Sequence, residues 1–344
     1  TTVNLPTSCV VDFTEGYTVT LNVINGSTSP VSKVVGRDGI TSFTVTPNDG
    51  YKLELESDTC NGTLSGNTYT ISNITGAKTC SITFKNSSVS LATLIQTNAV
   101  NENGYRYEGS DPDNYIQMEK TDGTKELWRI IGLFPDGENG EDVIRVRKAE
   151  YEFKEYDSNG INHWPYATLY SSWKNSYSIT NYKNTVNYKM YLGGSDKDNI
   201  ESYTSADLYD MERMINYKGS VGGSSRSLDG ITTFIGSVGL IYPSDYGYAV
   251  LSSDCERTIQ LYYYSLTSAC YTNNWLYQNS SNWQWLITPN SSSTNGGFSV
   301  YSKGYVYINY DSVSSSGNVS PVMALKSDVM VTGSGTQSDP YVMD

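Results

Sequence analysis

Between residues 10 and 86, apolar and polar residues alternate with a period of two. Val19-Thr-Leu-Asn-Val, Ser42-Phe-Thr-Val-Thr and Tyr69-Thr-Ile-Ser each put alternate side chains on one face, as half-buried strands do. Asn25-Gly26, Asp49-Gly50, Asn61-Gly62 and Ser65-Gly66 separate them as turns. The pattern predicts a small all-β sandwich over residues 1–86. Asn86-Ser-Ser-Val-Ser reads as a linker, and a second domain follows over 87–344. Ser90 is placed to cap a short helix. Trp128-Arg-Ile-Ile-Gly-Leu-Phe and Val143-Ile-Arg-Val-Arg predict two strands around an acidic turn. Residues 205–215 predict a helix with Leu208, Met211 and Ile215 on one face and Met214 beside it. From 219 to 320 the chain is rich in Gly, Ser, Asn and Tyr, with short strands between long loops.

The segment from Phe298 to Val322 is patterned differently. Phe298, Val300, Val306, Val313, Val319 and Val322 form an apolar hairpin skeleton, and the positions between them are almost entirely Tyr, Ser, Asn, Asp and Ile. Pairing 298–301 with 305–310 across Ser302-Lys303-Gly304 alternates the faces. Phe298, Val300, Val306 and Ile308 then point inward. Ser299, Tyr301, Tyr305, Tyr307 and Asn309 share the outer face as one patch, with Tyr310, Asp311 and Ser312 following. This is the composition of an antibody-like binding surface, where Tyr gives rigid contact area and Ser and Asn give adaptable hydrogen bonding. Asn273, Asn274 and Tyr277, just after Cys270, are lesser contributors. The run Tyr262-Tyr-Tyr264 reads as a third contributor or, no less readily, as core or edge-strand packing.

Composition sharpens this picture. The 344 residues suit about two domains. Hydrophobic residues make up only 38% and Tyr numbers 30 against 7 Phe, so half-buried rings with wet hydroxyls are expected. The net charge of -13 argues against nucleic acid and against an anionic membrane surface. No apolar run approaches the roughly 18 residues of a membrane-crossing helix. With no initiator Met and no signal-like start, the chain reads as a mature or trimmed ectodomain whose targeting segment is absent, with membrane anchoring only through segments outside it. Cys60/Cys80 and Cys255/Cys270 are spaced as local disulfide pairs, as in exported proteins, leaving Cys9 over. The alternative is that none is bonded and Cys9 is a small buried hydrophobe.

Particular phrases carry two resemblances. GYTVTLNVINGS, FTVTPNDGYKLELES and NGTLSGNTYTISNITGAKTCSITFK resemble the bacterial surface repeats of the InlB B-type, or Ig-like, family. The resemblance implies a stalk or spacer. Cys9-Val-Val-Asp-Phe13 echoes Cys80-Ser-Ile-Thr-Phe84, as if the chain began at the last strand of a preceding repeat. Further along, the carriers are Trp128-Arg-Ile-Ile-Gly, Gly239-Leu-Ile-Tyr-Pro-Ser-Asp-Tyr-Gly-Tyr-Ala, Trp285-Leu-Ile-Thr-Pro, Gly304-Tyr-Val, Val319-Ser-Pro-Val and Val331-Thr-Gly-Ser-Gly-Thr-Gln-Ser-Asp-Pro-Tyr-Val. Together these resemble the C-type-lectin-fold surface proteins of gut Firmicutes. Those are related to the variable proteins of diversity-generating retroelements and, more distantly, to formylglycine-generating enzymes. The resemblance covers nearly the whole second domain and implies an α+β C-type-lectin-like fold with long loops.

Family members carry Arg before the closing Pro, where this chain has Ser320-Pro321, so the salt bridge that pins that turn is in question. In the family, an Asn-codon-rich template is rewritten at adenines. Ser299, Tyr301, Tyr305, Tyr307, Ile308, Asn309, Tyr310, Asp311, Ser312 and Ser314 are each Asn or reachable from an Asn codon in this way. Lys303 is outside the set, and Ile308 belongs to both the set and the skeleton. The same composition is also common in bacterial surface β-loops.

Catalysis is not indicated. His163, the single imidazole, sits in Asn162-His163-Trp164-Pro165 with no nucleophile motif, and one His cannot complete the usual zinc sets. The reactive Cys arrangement of formylglycine-generating enzymes is not evident around Cys255 and Cys270, and fold does not carry function across. Asp136-Gly-Glu-Asn-Gly-Glu-Asp142 and Asp111-Pro-Asp113 offer carboxylates but match no EF-hand loop, so Ca²⁺ is not favoured and no cofactor is expected. The expectation is a non-enzymatic, extracellular bacterial adhesin that binds a protein ligand on a host or neighbouring cell through the Tyr/Ser/Asn face. One alternative is a carbohydrate-binding module, with Trp275 and Trp283 stacking on sugars and Asn273 and Asn274 orienting hydroxyls. Another is a pilus or cell-wall subunit linked through Cys9 or the N-terminal strand.

Overall fold

The alternation in the first 86 residues becomes two four-stranded sheets. One runs in the order Ser32–Gly36, Gly16–Ile24, Lys78–Asn86, Tyr51–Asp58, and the other Gly26–Ser29, Gly39–Pro47, Thr68–Ile74, Thr63–Ser65. Val19, Leu21, Ile82 and Phe84 from the first meet Phe43, Val45, Tyr69 and Ile71 from the second in one apolar cluster. That is the burial two facing sheets of a sandwich require. The protein is described from a computed structural model covering residues 16–48, 50–194, 201–215, 232–278, 281–291, 293, 295–309 and 313–344. Cys9 and its strand lie outside these residues.

Cys60 is bonded to Cys80 and Cys255 to Cys270. The first bond is braced by Asp58, whose carboxylate accepts from the Cys60 and Gly62 N–H groups and from the Tyr69 hydroxyl at 2.6 Å. Gly62 is required there, because a Cβ would meet the Tyr69 ring at 2.5 Å.

The chain divides into two compact units, 1–88 and 89–344. The second is also mostly β, with several sheets and few, short helices. Its larger sheet includes Val322–Lys326, Val143–Lys148, Lys125–Phe134, Tyr115–Glu119 and Tyr341–Met343 as neighbours. Its five-stranded sheet runs Glu152–Glu155, Ser316–Val319, Gln284–Pro289, Gly297–Val300, Val306–Asn309. Trp128, Trp164 and Trp285 are buried at the core of this unit. Ser90 caps the helix Leu91–Asn98, accepting from the Thr93 N–H. The Ser320-Pro321 turn is held by hydrogen bonds to the neighbouring strand. The Ser320 hydroxyl donates to Lys148 O at 2.7 Å, and the Lys148 N–H donates to Pro321 O.

The helix Ser205–Glu212 is shorter than expected. Thr204 and Asp207 form its capping box, and Leu208 and Met211 are buried. The chain leaves the helix after Glu212, Met214 takes a φ of 58°, and Ile215 is exposed. Arg213 is drawn instead to Asp136 at 3.3 Å, which ends the apolar face at Met211.

A buried ionic cluster lies behind that departure. Asp245, on the helix Pro243–Tyr248, accepts from Arg106 and Arg145 at 2.7 Å each. Arg145 and Arg213 both approach Asp136, and Glu212 accepts from the Ser244 N–H and hydroxyl. Burial alone would raise Asp245, but Arg145 and Arg106 hold it down at about 2. Burial pushes Glu212 up from 4.5 to about 7, against the pull of Arg213.

The two carboxylates therefore act in opposite directions. Between pH 4.5 and about 7 the folded chain keeps a proton on Glu212 that the unfolded chain has released. Stability is fully present below 4.5 and falls as pH rises to about 7, by roughly 3 kcal/mol. The Asp245 contribution is present above 3.8 and is lost as pH falls toward about 2. Glu212→Gln is expected to abolish the decline between pH 4.5 and 7 while keeping the acid limb, as read by urea denaturation across that range. An unchanged decline in the variant would contradict this assignment.

Candidate ligand-binding face

The hairpin adopts the register its sequence predicts. Gly297–Val300 pairs antiparallel with Val306–Asn309, setting Phe298 opposite Ile308, Ser299 opposite Tyr307 and Val300 opposite Val306. All six skeleton residues are buried. Ile308 is buried too, so it stands with the skeleton as a core side chain.

The turn is fixed from beneath. The Tyr301 N–H donates to Tyr305 O, and the Gly304 N–H donates to Tyr301 O at 2.8 Å. Gly304 has a φ of 73°, and a Cβ there would fall 2.0 Å from Tyr271 Cβ, so the turn demands Gly. The Tyr246 hydroxyl, from the buried helix Pro243–Tyr248, donates to Gly304 O at 2.8 Å. The Tyr277 hydroxyl donates to Ser302 O, and its ring meets Tyr271 edge-on.

Above the turn the rings gather. Tyr301 and Tyr305 stack at 5.0 Å, with Tyr307 edge-on to Tyr301 at 5.9 Å. The 3-10 helix Leu261–Leu266 brings Tyr262 to 5.9 Å from Tyr307 and 6.1 Å from Tyr305. These rings, with Tyr263, Ser265 and Leu266, wall a cavity of about 380 Å³. The five tyrosines are half-buried, and Leu266 is 78% exposed. Burial, with Tyr262 and Tyr307 nearby, holds the Tyr305 phenol above its ordinary value, so it remains a neutral hydrogen-bonding group at physiological pH.

A period of three explains the contribution of the 3-10 helix. Leu261 and Tyr264 point into the core, where the Tyr264 hydroxyl donates to Gly247 O. Tyr262 with Ser265, and Tyr263 with Leu266, are left for the cavity. The run Tyr262-Tyr-Tyr264 is thus part surface and part core. The three-residue spacing of Leu261 and Tyr264 was the available signal.

Several expected site residues sit elsewhere. Ser299 is fully buried, not on an open face. Its strand is flanked on both sides, with Trp285 opposite it on one neighbour and Tyr307 on the other, and its Oγ has no hydrogen-bond partner among the described residues. Asn274 is buried and structural. Its Nδ2–H donates to Tyr246 O at 2.8 Å, and its Oδ1 accepts from the Leu276 N–H. Asn273 is half-buried and donates to Asp254 at 3.0 Å. The ring of Trp275 is buried, with its Nε1–H donating to Tyr107 O, and Trp283 packs edge-on against Trp285. The backbone of Asn309 pairs with Gly297. Its side chain, and all of Tyr310, Asp311 and Ser312, lie outside the described residues.

The other chemical candidates have structural surroundings. His163 is buried and stacks on Tyr166. Asp136 is taken up by Arg145 and Arg213, and Asp111 pairs with Arg129 at 3.0 Å. Among the described residues no group of three or more His, Cys, Asp or Glu is placed to hold a metal ion. No protein-family model, curated protein or solved structure matches this chain.

This division between surface and support makes a stability contrast. Asn274→Ala strands two buried backbone groups and is expected to cost about 2–4 kcal/mol. Ser299→Tyr forces a ring into a filled site and is expected to cost as much or more. Tyr305→Ser is expected to stay within about 1 kcal/mol of the parent. Urea denaturation of the three variants checks the order, and a Tyr305→Ser loss as large as the others would place that ring in the core.

Proposed function

We propose that this protein is a bacterial cell-surface adhesin. Its second unit would present a diversified Tyr/Ser/Asn-rich face on a C-type lectin fold to bind a protein ligand, and its first unit would serve as an Ig-like spacer. The observation that carries this reading is the cavity walled by Tyr262, Tyr263, Tyr301, Tyr305 and Tyr307 with Leu266 exposed beside it. Half-buried Tyr rings over a rigid turn offer large contact area with little entropy to lose on binding. An exposed aromatic and aliphatic patch of this kind marks interaction sites. Affinity would come from a few rings entering the partner rather than from area alone.

The two disulfides support an oxidising, extracellular setting. Among the described residues no helix is long and apolar enough to cross a membrane. The second unit's sheets, short helices and long irregular stretches support the lectin-like reading of its fold. Diversification, on this reading, acts at Tyr301, Tyr305 and Tyr307 and spares Ser299 and Ile308, whose burial leaves no room for exchange. The carbohydrate reading is weaker, because the ring of Trp275 and the amide of Asn274 are both committed inside the protein.

A Tyr301→Ala/Tyr305→Ala/Tyr307→Ala variant tests the proposal on an array of extracellular proteins beside a glycan array. The variant is expected to melt within about 5 °C of the parent and to lose the parent's protein hits by roughly a hundredfold. Hits confined to glycans, or protein hits that survive the triple substitution, would overturn it.

A further inference from the structure

A second cavity, of about 600 Å³, opens on the larger sheet of the same unit. Lys125, Arg129, Arg147 and Lys148 line it against only two acids, Glu126 and Glu150. In a chain of net charge -13, a local excess of cations needs a reason.

The sheet register makes the excess acute. Arg129 and Arg147 are direct cross-strand partners, and both are buried. Like charges so placed repel, and burial strengthens the repulsion. Arg129 is compensated by Asp111 at 3.0 Å and lies over the rings of Tyr115 and Trp275. Lys148 shares Glu126 with Lys120. Among the described residues Arg147 has only neutral partners. Its Nε–H donates to Lys148 O, one Nη to Ala149 O and the other to the Tyr151 hydroxyl, and the Tyr151 ring lies 4.2 Å away. No carboxylate among the described residues pairs with it. A buried guanidinium held this way is destabilising unless an anion offsets it.

We propose that this cavity binds a small molecule through an oxyanion group, with Arg147 as its principal partner and the exposed Lys125 adding charge. Three of the five guanidinium N–H groups are taken by the bonds to Lys148 O, Ala149 O and the Tyr151 hydroxyl, which leaves one on each Nη for the oxygens of a carboxylate, sulfate or phosphate. The volume falls in the range of small-molecule sites. The site is separate from the tyrosine cavity, although Tyr277 lines it and also donates to Ser302 O in the hairpin turn. It holds whether or not the tyrosine face captures a protein.

Calorimetric titration of the whole chain with sodium benzoate, sodium sulfate and sodium phosphate, each against chloride at matched ionic strength, tests this. At least one probe is expected to bind one-to-one with a Kd below about 1 mM, and which one binds identifies the head group. Lys125→Glu, at an exposed position where folding is not at stake, is expected to weaken it about tenfold, while Lys303→Glu on the hairpin turn leaves it unchanged. Arg147→Gln is expected to abolish binding in folded protein. Absence of saturable binding for all three probes up to about 20 mM, or binding that Lys125→Glu does not change, would overturn the proposal.

Discussion

Asp245 accepts from Arg106 and Arg145 at 2.7 Å each, with all three side chains out of water. Removing the carboxylate would leave two buried guanidinium groups facing each other, which is far costlier than losing an exposed pair. A pair of this kind acts less as glue than as a constraint on geometry. It allows the helix Pro243–Tyr248 one position over the strands that carry the arginines. The next residue, Tyr246, reaches Gly304 O in the hairpin turn, and Asn274 takes up the Tyr246 carbonyl. A chain of hydrogen bonds thus runs from the ionic cluster to the candidate binding face.

The arrangement separates two tasks. Beneath the hairpin, Phe298, Val300, Val306 and Ile308 fill the core, and Tyr246 and Tyr277 hold the turn by backbone oxygens. Contacts to backbone carbonyls do not depend on which side chains the turn displays. Above it, Tyr301, Tyr305 and Tyr307 touch one another and the rings of the 3-10 helix, and Tyr307 also packs against the core. Support from below and display above is what a surface open to sequence change requires.

Much of this was legible in the sequence, for definite reasons. Alternation gave the strand faces of the hairpin and of the first unit, and Gly304 and Ser90 carried their turn and cap chemistry openly. Alternation says which residues share a face, but not whether a neighbouring element covers it. Ser299 lies on the same face as Tyr307, yet its strand runs between two others and it is buried. Asn274 has the composition of a binding loop and the role of a strut, because its partners lie 28 residues away and two residues on. Val143-Ile-Arg-Val-Arg looks half-exposed, but Arg145 is buried against Asp245, a hundred residues on. Long-range electrostatics of that sort leaves no local periodic trace.

The measurement that bears most directly on this separation is a folding screen of two displayed libraries, read by protease resistance. One randomises Tyr301, Tyr305 and Tyr307 over the residues that adenine replacement in an Asn codon allows, and the other does the same at Phe298, Val306 and Ile308. If the face is carried independently of the core, most members of the first library will keep the parent's resistance and almost none of the second will. Comparable loss in both libraries would show that the tyrosines are part of the core and that no exchangeable face exists.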